Sequence, residues 1–458
     1  MNDVYEIDPV NGGKEGGLAR VATLRDLLLR KNPDTITVLA GDLFSPSALG
    51  TAPYKGSRLN GKQIVSAMNA LGLDYITFGN HEFDLKKEPF YDRLNESKFE
   101  WISSNCFTEN GTPFPKVAES KIIEIKGVKI GIFGVTIEKN QVNYATYKDP
   151  FTTAQKQVTE LRPKVDILIA LTHLNMDDDV RLANQFPDID LILGGHEHEN
   201  MQFRRGINYT PIFKADANAR TVYIHNIFYD KSKTAKKKLT ITSKLQRITD
   251  TLPDQIKTAK VLKKWREIGY AGFSKHGFNP NQAVTTSDVE LDGLEASVRN
   301  VPTKLTKLIA QSMLTAAEGA QVSIYNSGAV RIDDVLPSGQ ITEYDVIRIL
   351  PFGGDIVTVQ MKGSLLKRVL EQGRANKGGG GYLQTGNVSG GKKGPWLIEG
   401  KKLDEDAEYA VAILEFLVKI GDDNLEFLVN NPETQLIDNN GDIRKALIIE
   451  LQKTFTAE

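Results

Sequence analysis

A single cysteine, Cys106, stands among the 458 residues. It excludes an intrachain disulfide framework and a cysteine-built metal site. Surplus charge is missing too: 57 basic residues face 58 acidic ones, for a formal net charge of -1. That balance excludes the usual electrostatic binder of nucleic-acid polymers, so an anionic ligand must be held locally. No stretch approaches the roughly 20 apolar residues of a membrane span. The opening Met1-Asn2-Asp3-Val4-Tyr5-Glu6 has no basic and apolar export signal. The chain reads as soluble, and no fixed-period repeat is visible.

What is present reads as two domains, the natural expectation for this length. Short apolar runs at 36–40, 75–78, 101–103, 128–135, 167–171 and 191–193 each lead into polar residues and then a helical stretch. That is α/β grammar, with strands short and apolar enough to be buried on both faces. Alternation over 239–248 marks an exposed hairpin, and the first domain closes at residue 250. Residues 251–278 carry a linking helix with apolar spacing over 255–270. A second α/β unit, 279–458, contains a helix over 303–318, a strand over 322–325 and alternation over 356–361. The Gly- and Lys-rich patch 377–393 imitates a P-loop but fails, because Lys393 stands where a magnesium-holding Ser or Thr is needed and Gly394-Pro395 follows where a helix should start. The lysine-rich run 231–238 reads as a solvated hairpin tip.

Four of the six histidines, His81, His173, His196 and His198, fall just after apolar runs, as do Asp42 and Asn80; Asp3 stands at an equally abrupt start. In an open α/β sheet ligands gather at the carboxyl ends of strands, so these groups converge despite their separation in sequence. Each has a bland reading: a lone Gly-Asp is usually a turn, and a lone buried His is usually a satisfied core residue. Gly194-Gly195-His196-Glu197-His198 is more specific, since imidazoles one residue apart commonly chelate. Imidazole, carboxylate and amide oxygen without thiolate suit zinc, manganese, iron or cobalt. Six such ligands suit two ions about 3.5 to 4 Å apart, with Asp42 as the natural bridge.

In this order, Asp3-Val4-Tyr5, Gly41-Asp42, Gly79-Asn80-His81-Glu82-Phe83-Asp84, Thr172-His173 and Gly195-His196-Glu197-His198 resemble the calcineurin-like metallophosphoesterase signature. Tyr325-Asn326-Ser327-Gly328-Ala329-Val330-Arg331, Pro351-Phe352-Gly353 and Gly381-Tyr382-Leu383-Gln384 resemble the C-terminal domain of 5'-nucleotidases. The resemblance implies a four-layer α/β/β/α catalytic domain of two packed mixed sheets, followed by an α+β substrate domain. It implies one divalent ion on Asp3, Asp42 and His198, a second on Asp42, Asn80, His173 and His196, and water activated by both. His81 and Asp84 match its catalytic pair. Arg299, Asn326, Gly328, Arg331, Phe352 and Phe416 match its substrate contacts, with the two phenylalanines sandwiching a base.

The activity implied is hydrolysis of a nucleoside 5'-monophosphate. Alternatives are a 2',3'-cyclic nucleotide or nucleotide sugar as substrate, or a nucleotide-binding protein with a weakened metal site. Relatives of this kind are often periplasmic or surface-bound. Nothing in the sequence sets the oligomeric state. Three departures stand out. Tyr5 replaces a metal-binding His, which leaves three readings open: a phenolate ligand, a first ion held weakly with extra water, or a substrate contact. Val301, Lys304 and Lys307 replace parts of an Arg-rich, Thr-Asn-Leu pattern. Gly421-Asp422-Asp423-Asn424 replaces a Gly-Asp-Gly run.

Overall fold

A computed structural model describes residues 1–233, 238–392, 394–421 and 424–455. The middle of the 231–238 run, Lys393 of the P-loop imitation, and Asp422-Asp423 lie outside the described residues. Two compact units result, Met1–Gly269 and Tyr270–Glu458.

In the first unit, β1 (Val38–Ala40), β2 (Tyr75–Thr77), β3 (Glu100–Ile102) and β4 (Val117–Ala118) form a four-stranded sheet whose pairings are parallel. A six-stranded mixed sheet holds β5 (Ser120–Ile125), β6 (Val128–Thr136), β7 (Ile167–His173), β8 (Leu191–Gly194), β9 (Met201–Arg205) and β10 (Thr210–Lys214). Its order is β5-β6-β7-β8-β10-β9, parallel from β6 through β10 and antiparallel at both edges.

Period-two alternation assigns each face. Ile130 and Ile132 of β6, with Ile167, Ile169 and Leu171 of β7, share a core with Ala40 and Ile102 of the other sheet. Phe133, Val135, Leu168 and Ala170 point the other way, onto helices at Pro150–Leu161 and Met176–Gln185. These strands are apolar on both sides because both faces are covered. Each fully buried side chain of this size contributes up to about 1.5–3 kcal/mol. Beyond the smaller sheet, Trp101 packs against Phe44 and Phe78, and Phe78 against Phe90 of the helix Lys87–Glu96. The layers therefore run helix, sheet, sheet, helix. The exposed alternation seen in sequence is one strand, Leu239–Arg247, of a hairpin with Thr221–Tyr229.

Helix Ile256–Ser274 carries the chain into the second unit. There a five-stranded sheet contains β11 (Val322–Asn326), β12 (Asp355–Lys362), β13 (Leu383–Gly386), β14 (Glu408–Leu414) and β15 (Thr434–Asp442), ordered β13-β11-β14-β12-β15. Helix Lys304–Ala316 starts in a reciprocal capping box between Thr303 and Thr306, an arrangement that satisfies otherwise orphaned N–H groups. Ala412 and Leu414 of β14 pack with that helix and with Ile443–Phe455; Val411 and Ile413 pack with Gly363–Ala375. The Gly-rich patch forms Val388–Gly390, which pairs antiparallel with Trp396–Ile398. A strand there, in place of a phosphate loop opening a helix, removes the P-loop reading. No helix among the described residues is long and apolar enough to cross a membrane.

Candidate active site

The ends of β1, β2, β7 and β8 meet at one side of the first unit, and residues 1–4 run alongside β1. Ala40 N donates to Met1 O at 2.9 Å, Asp3 N to Gly41 O at 3.1 Å, and Val4 N to Asp42 O at 3.0 Å. Asp3 is thereby set beside Asp42. Asp3, Asp42, His196 and His198 all adopt positive φ, a conformation that non-glycine residues hold only when their surroundings impose it and that clusters at functional sites. At Gly41, with φ +80°, a Cβ would lie 2.5 Å from His173 Nδ1, and at Gly79 a Cβ would lie 2.1 Å from Asp42 Oδ1. Only glycine allows these turns to close on the cluster.

Each buried carboxylate uses one oxygen on the backbone. Asp3 Oδ2 accepts from His196 N at 2.9 Å and from Asn2 Nδ2 at 2.8 Å, and Asp42 Oδ1 accepts from His81 N at 2.8 Å. The other oxygens turn toward imidazoles. His173 Nε2 lies 3.2 Å from Asp42 Oδ2 and 3.8 Å from Asp3 Oδ1; His198 Nε2 lies 3.5 Å from Asp3 Oδ1. The Tyr5 hydroxyl stands among them. The His196 ring centroid is 5.3 Å from that of His173, and Asn80 is buried at the end of the same loop as His81.

Two orphaned atoms test whether this cluster fits a cation. The Ala40 carbonyl only accepts, so the 2.7 Å contact from His173 Nδ1 fixes the proton on Nδ1 in the neutral ring and leaves Nε2 a bare lone pair facing carboxylates. His173 Nε2 and Asn80 Oδ1 are buried with no hydrogen-bond partner among the described residues. Converging lone pairs in a buried site are costly unless a positive charge sits between them, and Asp3, Asp42 and His173 offer donor atoms all within 4.8 Å of one another. The residues fit divalent metal ions.

The electrostatics agree. Burial opposes ionisation of Asp3 and Asp42, yet His173 beside them, with His198 at Asp3 and His81 at Asp42, holds both carboxyls below their ordinary value. Burial alone would lower the His173 pKa, but Asp42 and Asp3 raise it to about 9, so without an ion the ring carries a proton on Nε2 toward Asp42, and a metal ion would take the place of that proton. Burial, with His173 adding to it, pushes His196 down to about 3, keeping that ring neutral as a metal ligand requires.

Beside the cluster, His81 Nδ1 contacts Asp84 Oδ2 at 2.7 Å, and the His81 ring meets Tyr5 edge-on at 6.3 Å between centroids. An aspartate on one ring nitrogen fixes the tautomer and favours the charged imidazole. Sequence reasoning missed Asn140, whose Nδ2 donates to Asp84 Oδ1 at 2.6 Å and lies 3.4 Å from His81 Nδ1. It also gave no role to Glu82, whose buried carboxylate accepts from the amides of Asp42, Phe44, Gly79 and Leu43 at 3.0, 3.1, 2.6 and 2.5 Å. Burial, reinforced by Asp42, raises the Glu82 pKa to about 7 against those amides. Glu197, between the two chelating histidines, turns away from them to Met176 N and to Lys214 Nζ. Lys214 also meets Asp179 Oδ2 at 2.9 Å and Leu174 O at 2.5 Å. The only sequence signal for this trio was a charged residue at the end of an apolar strand.

In the second unit the substrate candidates are dispersed around β11 and the loop after residue 377. Asn326 is buried at the end of β11, Gly328 N donates to Gly380 O at 2.8 Å, and Arg299 O accepts from Gly378 N at 2.8 Å. The Arg299 guanidinium pairs with Glu295. Arg331 lies 5.8 Å from the centre of the Phe352 ring, and its Nε is buried without a hydrogen-bond partner among the described residues. Phe352 and Phe416 are 42% and 39% exposed, and no ring contact joins them among the described residues.

The chain is similar to known proteins in sequence and in fold. Residues 1–200 match the family model of calcineurin-like phosphoesterases, and residues 283–430 match that of the 5'-nucleotidase C-terminal domain. The trifunctional nucleotide phosphoesterase YfkN of Bacillus subtilis is 27% identical over 84% of this chain, which spans 29% of that protein's length. A 5'-nucleotidase of Vibrio cholerae is 26% identical, with 83% of this chain and 77% of that protein aligned. The solved structure of a 5'-nucleotidase precursor from Thermus thermophilus superposes with a TM-score of 0.79 over 99% of this chain and 96% of that one, at 22% identity. That last likeness is one of fold.

Proposed function

The chain belongs to the two-domain 5'-nucleotidases of the calcineurin-like metallophosphoesterases, enzymes that hydrolyse phosphoesters, and on that premise we propose that it cleaves nucleoside 5'-monophosphates to nucleoside and phosphate. The observation that carries the proposal is the His81–Asp84 contact at 2.7 Å beside a buried cluster of carboxylates and imidazoles. A structural metal site would need no such pair. Asp3, Asp42 and His198 would hold one ion, and Asp42, Asn80, His173 and His196 the other. Two divalent ions, when bound, supply Lewis acidity toward the phosphoryl oxygens and toward water.

The remaining roles fall to side chains. Asp84 holds the proton on His81 Nδ1 and favours the imidazolium, which stabilises charge on the phosphoryl group or gives its proton to the departing ribose oxygen. We assign catalysis to residues 1–250, linkage to 251–278 and substrate specificity to 279–458. There Phe352 and Phe416 would stack the base, Arg331 and Arg299 would meet anionic groups, and Asn326 and Gly328 would complete the pocket. A periplasmic or cell-surface setting fits this activity.

Elemental analysis of the purified protein, paired with phosphate release from a panel of nucleoside monophosphates, tests the reading. About two ions per chain are expected, and His81→Ala is expected to lower kcat by about 10²-fold or more. Phe352→Ala is expected to raise KM for nucleotides, by up to about 1–3 kcal/mol of lost stacking, and to spare an aryl phosphate. A metal-free protein that releases no phosphate after manganese or zinc is supplied would overturn the proposal. Equal loss on nucleotide and aryl phosphate would remove the stacking role alone.

A further inference from the structure

Asp3 and His198 are the two ligands assigned to the first ion alone, and neither stands directly on a strand. Residues 1–6 run without helix or strand, and His198 lies four residues beyond the end of β8, with φ +59°. Both are bonded to one further segment, residues 215–218, which continues past Lys214 at the end of β10. Ala217 N donates to His198 O at 2.9 Å, and Asn218 N donates to Asp3 O at 2.8 Å. One short stretch of chain thus holds the backbone of both ligands.

Two asparagine side chains complete the link. Asn218, 2% exposed, accepts from Tyr5 N at 3.0 Å and from Glu6 N at 3.1 Å through its Oδ1. Asn2 Oδ1 accepts from Ala215 N at 2.7 Å, and its Nδ2 donates to Ala215 O at 2.9 Å and to Asp3 Oδ2 at 2.8 Å. Asn218 and Ala219 both adopt positive φ, a backbone state that residues other than glycine keep where their surroundings impose it. The bonds of Asn218 are the surroundings that do so: its N–H grips the residue carrying the ligand, and its side chain grips the next turn of chain. The second ion's ligands have no such link to this segment among the described residues.

We propose that Asn218 is a positioning residue for the first ion, fixing residues 3–6 against the His198 loop and so setting the affinity of the ion on Asp3, Asp42 and His198, while the ion on Asn80, His173 and His196 stays close to its full affinity. Asn218 acts through Asp3 and His198, as outer partners of metal ligands do. The inference rests on the assignment of these ligands to two ions. An asparagine that merely satisfied two amides would support the fold, and its loss would weaken both ions alike.

The test titrates metal-free protein with manganese. Calorimetry gives the two affinities, and electron paramagnetic resonance separates a carboxylate-bridged pair, whose ions couple magnetically, from a lone ion. Asn218→Gly removes the side-chain acceptor yet accepts the left-handed φ that alanine would strain. It is expected to weaken one ion by about 10–100-fold and to leave the other near the wild-type value. With only the tighter position filled, its spectrum is expected to match that of His198→Ala and not that of His173→Ala. Asn218→Asp keeps an acceptor for both amides and is expected to restore the weakened ion. Both ions weakened alike or lost together, neither weakened, a spectrum matching His173→Ala, or a deficit that Asn218→Asp does not repair would overturn the assignment, while two ions in the wild type leave the metal centre standing. A wild type that takes up fewer than two ions would bring down the paired centre and this inference together.

Discussion

Lys214→Met probes how the loop carrying His196 and His198 is held. Lys214 is 1% exposed and Asp179 is 0% exposed. Its ammonium meets Asp179, Glu197 and the Leu174 carbonyl. Methionine preserves most of the volume and removes the charge, leaving the buried Asp179 carboxylate and the partly exposed Glu197 carboxylate without their cation. Breaking a buried ionic group by deleting one member costs about 3–5 kcal/mol. For a unit of this size about 2–4 °C of melting temperature follows each kcal/mol, so a fall of roughly 6–20 °C is expected in the transition of the catalytic unit.

The pH dependence carries the sign. Burial already raises the carboxyls of Asp179 and Glu197 above their ordinary values, with Lys214 opposing it. Without the lysine they rise further. A carboxyl raised in the folded state contributes its stability below the unfolded pKa and loses it as pH increases, so the variant should lose more at pH 8 than at pH 5. Calorimetry of the full chain at both values measures this. Adding Asp179→Asn and Glu197→Gln to Lys214→Met should recover much of the loss at pH 8. A fall of less than about 2 °C, or equal falls at the two pH values, would refute the view that a buried ion triad supports the histidine loop.

Asn140→Ala removes the amide on Asp84 and should lower kcat on a nucleoside monophosphate by about tenfold, since a hydrogen bond to a charged group contributes at most about 1.5–3 kcal/mol and this one is partly exposed. KM should hold, and an aryl phosphate, whose leaving group needs no proton, should be spared. Equal loss on both substrates would make Asn140 structural. His225 is an acid-sensitive point: burial lowers its pKa from 6.5 to about 4. The folded protein therefore resists a proton that the unfolded chain accepts, and stability should fall as pH drops from about 6.5 to about 4. The loss is on the order of 2–3 kcal/mol. An unchanged acid slope in the melting temperature of His225→Phe would refute it.

The residues that could be read from sequence are those whose position is set locally. Asp42 follows β1 by two residues, His173 ends β7, and His196 and His198 follow β8. A strand and the turn after it fix where such a side chain starts, so apolar runs and glycines carry the information. The missed residues are fixed by partners far away in the chain. Asn140 reaches Asp84 across 56 positions, and Asn218 reaches Tyr5 across 213. Neither sits in a run or a turn that marks it, and an asparagine in a polar stretch carries no local sign of a distant partner. Residues 1–4 were hard to read for a related reason: their place is set by backbone bonds to residues 38–42, distant in the chain.

Glu82 shows the limit more sharply, because it lies inside the most recognisable motif of the chain. His81 and Asp84 are chemically conspicuous, whereas Glu82 between them reads as one more acidic residue. Its role arises from backbone that a sequence does not display. Four amides from two loops, at 42, 43, 44 and 79, point at one spot. Those loops follow β1 and β2, and the first carries the Asp42 proposed to bridge the ions. An acceptor-only carboxylate can satisfy all four, while a glutamine would set its own donors against them. The same carboxylate lies near Asp42, which raises its pKa, so any positive charge held by the cluster also favours the ionised Glu82. The turn that positions Asp42 and the charge that Asp42 attracts are thus linked through one buried side chain. That coupling becomes visible only when the amides are located in space.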